Sequence, residues 1–532
     1  SFSLFRRVVH EMMVKASGES GISIALLKGA GTPLLKTVYA AITSDVGADV
    51  ISERWHKVVY VLLAKKPPNR RHIVKENREI ALTEHDVKML LQMVRRACYA
   101  RVIGRIARQN IGWVPGRAGA DIAQASAWVV QQARRLRHTV YMMYADLQQF
   151  FPRVNRHCLR IGELAHGLPA EVVALAVAIY GADGSDPRVA KCVYDSAGGL
   201  SEAFRNGLGA LMGCPLSTDR ARIFLNSIVV AIEAMAKGVR LWGSGWRRDD
   251  GEAVRWRRRL TQLMLADDWL GLFENEGQLR VAWGVWQLWE PMTGARLGIV
   301  KAADKTIVTG AAYDSNGRIT AVPDPALTTI DGRQVPLWTP EKAYKHVGAW
   351  RTANAEEKVG RKAFSKCIHR AIRRVKAMRK PTWYQFMIVT EAFFGGYANF
   401  YLQSMFMNEQ ELDKLEASWR AVLNRKFGRT RDTPRAELYA SHHKPGATRR
   451  HLYAYGLVAL YNAVNQALAD TEDTECRAAA RSGIALTLYT WGCRQDPSTF
   501  DPMHLEEALR ERLKGGGPRY LSDAWLFVIT QL

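Results

Sequence analysis

Two adjacent carboxylates stand between apolar runs of strand length in Leu263-Met264-Leu265-Ala266-Asp267-Asp268-Trp269-Leu270-Gly271-Leu272. The economical geometry is strand, turn, strand, with both carboxylates at the tip of a hairpin whose arms are buried. An Asp-Asp pair is common in ordinary turns and alone says little. A second run, Thr139-Val140-Tyr141-Met142-Met143-Tyr144-Ala145-Asp146, again leads an apolar strand straight into a carboxylate. Carboxylates at the ends of two separate strands can hold divalent cations about 3.5–4 Å apart, one to lower the pKa of an attacking hydroxyl and one to stabilise the leaving oxygen at phosphorus. Magnesium suits such a pair, because it prefers a few carboxylates plus substrate phosphates to an all-protein cage.

The elements that must position these groups belong to a long chain. Its 532 residues suggest about three or four units, and 48% hydrophobic with 24% charged residues excludes a largely disordered polymer. The charge is unusual: 75 Lys+Arg against 51 Asp+Glu leave +24, which favours a polyanionic partner, nucleic acid or an acidic membrane surface. No apolar run approaches the roughly 18 residues of a span, which argues against the membrane. The seven cysteines are scattered, with no C-x-x-C pair and no zinc spacing; this predicts a reducing intracellular compartment, without disulfides or structural zinc. A start at Ser1, with no signal-peptide pattern, fits a piece of a polyprotein and a processed organellar protein equally.

Local punctuation divides the chain. A helical lead-in runs to about Asp49, with a Gly-rich break at Gly29–Gly31; strands and helices alternate from Trp55 to about Asp314; and Asn316-Gly317, Pro323-Asp324-Pro325 and Asp331-Gly332 predict hairpins up to Pro340. The remainder reads as helical. Between Glu341 and Arg450 there are 23 Lys+Arg and 10 Asp+Glu, a local excess of +13. Within it Phe364, Ile368, Ile372, Val375 and Met378 recur at helical spacing, while Lys366, Arg370, Arg373, Arg374, Lys376, Arg379 and Lys380 occupy the other faces with no carboxylate among them. A solvated face is the ordinary fate of a basic helix, but seven like charges are costly to keep together without a polyanion. A second helix, through Leu412, Leu415, Trp419 and Val422 to near Lys426, reads as core packing.

Taken in order, the motifs resemble those of the reverse transcriptases of non-LTR (LINE-type) retrotransposons, with group II intron enzymes as more distant relatives. The resemblance covers nearly 400 residues. It begins at Trp55, with Leu62-Leu63-Ala64-Lys65-Lys66 and then Asn77-Arg78-Glu79-Ile80-Ala81-Leu82. Gly112-Trp113-Val114-Pro115-Gly116-Arg117-Ala118-Gly119-Ala120-Asp121 follows, leading into an amphipathic helix (Ile122, Ala125, Val129, Ala133, Leu136) for which Asp121 and Gln124 predict a capping box. Asp146 to Phe151, Asn206-Gly207 through Gly213-Cys214-Pro215-Leu216-Ser217, Leu265-Ala266-Asp267-Asp268, Leu297-Gly298 to Asp304-Lys305-Thr306, and Tyr344-Lys345-His346-Val347-Gly348 complete the series.

The resemblance implies an α+β, right-hand polymerase: an N-terminal helical extension (1–54), fingers and a palm with an antiparallel sheet (55–340), a helical basic thumb (341–450) and a helical C-terminal region (451–532). It implies RNA-templated DNA synthesis with two Mg²⁺ ions, or Mn²⁺ in their place, on an RNA template with a DNA or RNA primer and deoxynucleoside triphosphates. Asp146, Asp267 and Asp268 would be catalytic and metal-binding. Lys65 and Arg78 would neutralise the triphosphate, Phe151 would crowd a ribose 2′-hydroxyl, Met212 and Gly213 would support the nucleotide, and Lys305 would donate a proton to pyrophosphate. Tyr344, Val347 and Gly348 would seat the primer end, and Lys366, Arg370, Arg373, Arg374 and Lys376 would track the duplex.

Several positions depart from the family pattern. Met212 stands where glutamine is usual and cannot donate its amide hydrogen bond; Leu265 replaces an aromatic residue, Pro152 a small polar or acidic one, and Glu79 a proline. All three aspartates remain. The rival expectation is an inactive reverse-transcriptase fold kept as an RNA-binding component of a large ribonucleoprotein, such as a ribosome or splicing particle. An insertion from Val239 to Leu260 interleaves Trp242, Trp246 and Trp256 with Arg247, Arg248, Arg257, Arg258 and Arg259, a pattern that suits stacking on bases and gripping phosphates as well as a plain surface hairpin.

Overall fold

The apolar and β-branched runs form strands. In the computed structural model these are β1 (Val58–Ala64), β2 (Asn77–Leu82), β3 (Val140–Asp146), β4 (Ala190–Tyr194), β5 (Phe204–Arg205), β6 (Val239–Arg240), β7 (Ser244–Trp246), β8 (Ala253–Arg255), β9 (Arg259–Leu260), β10 (Gln262–Leu265), β11 (Asp268–Phe273), β12 (Ile307–Tyr313), β13 (Ile319–Ala321), β14 (Leu337–Trp338), β15 (Tyr344–His346) and β16 (Ala349–Arg351). The structure describes residues 1–14, 16, 18, 20–47, 51–65, 77–181, 190–194, 202, 204–205, 209–241, 244–246, 253–255, 259–298, 305–428, 452–469, 475–490 and 524.

One compact unit comprises Ser1–Trp113, Asp146–Ala234 and Gly284–Gly298. Its sheet has the order β2-β1-β4-β5, with β1 antiparallel to β2 and parallel to β4. Leu63 lies opposite Arg78 and Ala64 opposite Asn77, so Lys65 follows directly on the paired strands. The lead-in is helical over Phe2–Glu11, Ile24–Gly29 and Thr32–Gly47, broken at the glycines as predicted. Phe5, Val8 and Val9, at helical spacing, are fully buried in one core with Val87, Met89 and Leu91 of the helix His85–Val94.

The other unit comprises Val114–Ala145, Met235–Trp283 and Ile299–Leu532. Its main sheet runs β10-β11-β3-β12-β13, with β14 added to β12. Val140 to Ala145 are all buried, so β3 is covered on both faces. It pairs antiparallel with β12, Ile307 opposite Tyr144 and Ala311 opposite Val140. The hairpin β10–β11 closes with Leu265 opposite Asp268.

The predicted Asx-Gly hairpin joins β12 to β13: the Asp314 carboxylate accepts from the backbone N–H groups of Asn316 and Arg318 at 2.9 and 2.8 Å. At Asp331-Gly332 a smaller turn is closed by a bridge between Thr328 and Gln334. The insertion is paired as a hairpin, β6 with β9 and β7 with β8.

The helix Gly119–Leu136 is buried without interruption from Ile122 to Ala133. The helix begins earlier than predicted, at Gly119, so Asp121 is its third residue and accepts from the Ala118 N–H at 2.7 Å. Gln124 is a buried interior residue with no capping role. The C-terminal helix Glu475–Thr490 packs along the same helix; Gly483 meets the Trp128 ring, Arg135 donates to Thr487 Oγ1 at 2.5 Å, and Ser482 hydrogen-bonds Gln132.

The basic helix spans Lys358–Ala377 and buries Phe364, Ile368, Ile372 and Val375 as predicted, whereas Met378 caps its end and is half-buried. The helix Glu409–Lys426 buries Leu412, Leu415 and Trp419 in the same core. Its capping box is reciprocal between Asn408 and Glu411. No helix among the described residues is long and apolar enough to cross a membrane.

Candidate active site

In the first unit, Asp146 is half-buried and its carbonyl accepts from Gly298 N at 2.7 Å. Leu147 bridges Leu297, and Gln148 N donates to Arg296 O at 2.8 Å. The segment after Asp146 is therefore stitched to Leu297-Gly298, two motifs some 150 residues apart. Gln149 then takes a left-handed conformation (φ 45°) and starts the short helix Phe150–Arg153.

Phe151 is half-buried. Its ring meets Phe150 at 5.3 Å and Trp113 at 5.6 Å between centroids, both edge-on. Phe150 continues through Phe224 (6.0 Å) to Trp289 (5.3 Å), which donates to Ser227 Oγ at 2.8 Å.

The backbone of Phe151 is tied to the next motif, because Ala210 N donates to Phe151 O at 2.8 Å and Gly209 N to Val154 O at 2.9 Å. Met212 O in turn accepts from Ala81 N at 2.6 Å. Gly213 has φ 111°, and a Cβ there would lie 2.7 Å from Ala81 O, so only glycine fits the crossing of these two segments. Met212 thus keeps its main-chain task while its side chain, half-buried, offers no amide. Arg78 is exposed on β2, and Lys65 is exposed just past the end of β1.

Behind this loop lies a buried network that sequence reasoning missed. Glu163 accepts from Tyr99 Oη at 2.6 Å and Arg220 Nε at 2.7 Å. The Arg220 guanidinium sits 4.7 Å over the Tyr180 ring, and Tyr180 Oη contacts Cys214 Sγ. Burial pushes the Cys214 thiol up, away from nucleophile chemistry. Nothing local marks these residues; an ion pair between positions 57 apart becomes visible only after folding.

In the second unit, the hairpin turn is Ala266-Asp267, and Asp268 opens β11; both carboxylates are half-buried. The buried Trp269 indole donates to Gln262 Oε1 at 2.7 Å across the hairpin. Tyr344 stacks on Tyr144 of β3 at 4.3 Å and 19°, and its hydroxyl donates to Lys305 O at 2.5 Å. The β15–β16 turn is Val347-Gly348, both left-handed (φ 44° and 95°), the pair of conformations that suits a two-residue hairpin. Gly119 makes room for it: a Cβ there would lie 3.1 Å from Val347 Cβ and 3.3 Å from Leu265 Cδ2. The proposed primer-seating turn, the residue before Ala266-Asp267 and the start of a motif helix thus meet at one glycine.

Left-handed backbone costs non-glycine residues on the order of 1–2 kcal/mol. Of eight described residues that carry it, Trp113, Gln149, Ala266 and Val347 fall in the motifs, where such strain tends to gather at functional sites. Lys366, Arg370, Arg373, Arg374 and Lys376 are exposed. Among the described residues none of them has a carboxylate partner, while Arg361 takes both Glu357 and Glu411, and Arg374 lies 5.1 Å over Phe393.

In the insertion, Arg240 and Arg259 both pair with Glu274. Trp242, Arg247, Arg248, Trp256, Arg257 and Arg258 lie outside the described residues, as do Lys66, Asn206, Gly207 and Asp304.

Among the described residues, no three histidine, cysteine or carboxylate side chains form a ready-made metal cage. The donors present are half-buried carboxylates at a strand end and a turn, hard oxygen ligands of the kind magnesium takes one or two at a time with water and phosphate.

No protein-family model matches the chain, and no curated protein matches it. Among solved structures it is similar to an apo telomerase from Candida tropicalis truncated from its C-terminal domain, at 12% identity and a TM-score of 0.31. That alignment covers 54% of this chain and 60% of the other, so it spans less than two thirds of that structure, a likeness too slight to bear on activity.

Proposed function

We propose that this chain is an RNA-templated DNA polymerase of the non-LTR reverse-transcriptase type, with fingers and palm over 55–340, a basic thumb over 341–450 and a helical C-terminal region beyond. The observation that carries the reading is one sheet of order β10-β11-β3-β12, in which the strand running into Asp146 neighbours the hairpin bearing Asp267 and Asp268.

Asp146, Asp267 and Asp268 would hold two magnesium ions. These ions, when bound, activate the primer hydroxyl and stabilise the pyrophosphate oxygen that leaves. The protein's own groups supply position and charge. Phe151 bars a 2′-hydroxyl by contact, and the loop through Met212 and Gly213 shapes the nucleotide's seat. Lys65 and Arg78 neutralise the triphosphate, and Lys305 gives a proton to the departing pyrophosphate. The Tyr344–Gly348 hairpin seats the primer end, and the exposed cations Lys366, Arg370, Arg373, Arg374 and Lys376 follow the duplex backbone.

The test is primer extension on an RNA template with Mg²⁺ and deoxynucleotides, with Asp146→Asn run in parallel. Extension by the intact chain that vanishes in the variant supports the enzyme. A folded protein that binds RNA with steep salt dependence but extends nothing supports the rival reading, an RNA-binding scaffold in a ribonucleoprotein, for which the missing glutamine at Met212 already speaks.

A further inference from the structure

Phe151 can select against a ribose hydroxyl only if its ring cannot swing aside, because a clash discriminates in proportion to what it costs the wall to yield. The ring is half-buried, so packing on every side does not hold it. Its backbone is held at Phe151 O by Ala210 N, but that bond leaves the side chain free to rotate.

Two rings restrain it. Phe150 is its chain neighbour and is buried in the core. Trp113 comes from a different motif 38 residues away and meets Phe151 edge-on, at 5.6 Å and 72°. Trp113 is itself half-buried, and its backbone is left-handed at φ 56°. A bulky residue is rarely found there, and the residue after next, Pro115, and then Gly116 at φ 76° carry the sharp turn onward. A tryptophan held in a strained conformation at a half-open site, against the one ring assigned a steric task, is more than core filling requires.

We infer that Trp113 is a positioning residue for sugar selection: its indole fixes the Phe151 ring in the orientation that excludes a ribose 2′-hydroxyl. This rests on the polymerase reading and names the specificity device of that same site. Trp113 does not touch the nucleotide in this scheme; it acts through Phe151.

The experiment is single-nucleotide primer extension by the full chain on an RNA template, measuring kcat/KM for a deoxynucleotide and its matching ribonucleotide. The variants are Trp113→Ala, Trp113→Phe, Trp113→Leu, Phe151→Ala and the double Trp113→Ala, Phe151→Ala. Trp113→Ala is expected to lower the deoxy-to-ribo ratio by roughly two- to tenfold, the size of one edge-to-face ring pair. The change should come from gained ribonucleotide use, with Trp113→Phe keeping most of the discrimination. In the Phe151→Ala background the Trp113→Ala change should leave the ratio where it already stands.

A Trp113→Ala enzyme that loses both nucleotides equally, at an unchanged ratio, overturns the inference and makes Trp113 a structural residue only. So does a shift of equal size in the Phe151→Ala background. If the intact chain extends no primer at all, the polymerase reading itself fails, a result distinct from either. Trp113→Phe keeps the test alive should the alanine variant fold poorly, since an unchanged ratio there combined with loss in Trp113→Leu would still require a ring.

Discussion

On the proposed polymerase reading, the Ala266-Asp267-Asp268 hairpin and the basic helix Lys358–Ala377 would solve opposite problems. In the hairpin, buried arms, an indole–amide hydrogen bond from Trp269 to Gln262 and a left-handed Ala266 fix the carboxylates at the tip. The helix instead buries the stripe Phe364, Ile368, Ile372 and Val375 and leaves Lys366, Arg370, Arg373, Arg374 and Lys376 exposed and, among the described residues, without carboxylate partners. Placing a cation to within a fraction of an ångström needs rigid strands. Following a phosphate backbone needs only a sustained field, which loose side chains provide. The first design spends stability on local strain; the second spends it on self-repulsion.

The largest effect that would break this contrast concerns the hairpin. Asp267→Asn is expected to lower primer extension by on the order of 10³-fold or more, about 4 kcal/mol of barrier, with thermal stability and RNA binding nearly unchanged. Residual activity within tenfold of the parent would mean that the hairpin is not the metal platform.

On the helix, Arg370, Arg373 and Lys376 changed together to Gln should weaken template–primer binding and make the slope of log K against log salt shallower by roughly 2–3. The turnover at saturating template should hold. An unaltered slope would return these cations to a solvated face.

His346 sharpens the contrast from the rigid side. It is buried, its ring packs 5.0 Å from Tyr144, and its Nε2 has no hydrogen-bond partner among the described residues. Burial pushes its pKa down from 6.5 to about 3. The unfolded chain therefore takes up a proton first as pH falls, so the contribution is whole above about 6.5 and shrinks towards 3. Denaturant melts at about pH 7 and pH 5 should show the parent losing about 2 kcal/mol more than His346→Gln over that interval. Equal losses would mean the site is already open to water.

The smallest effect is at Ala266. Ala266→Gly removes a left-handed Cβ and should stabilise the protein by about 0.5–1 kcal/mol, net of the added chain entropy, with extension retained. A destabilised variant would show that the turn is not strained.

Much of this was legible before folding. An apolar strand running into Asp146, and Asp267-Asp268 between two such runs, predict a strand end and a hairpin tip, because alternation and burial are local properties. The stripe Phe364, Ile368, Ile372, Val375 predicts the helix that forms, and Asn316-Gly317 the hairpin after β12. The capping box at Asp121 and Gln124 was misplaced, since helix starts depend on where the preceding chain turns, and Pro115-Gly116 with Arg117 allowed an earlier entry.

The amino-acid sequence alone thus determined which residues end strands, which face of a helix is greasy and where the positive charge gathers, all consequences of neighbours within a few positions. Only the tertiary structure decided that Trp113 would abut Phe151, that Gly119 would admit Val347 beside Leu265, that Arg220 would find Glu163, and that Gly483 would rest on Trp128. Those contacts join segments from 38 to more than 350 residues apart, and their selection comes from close packing and the pairing of buried polar groups, which no local period encodes.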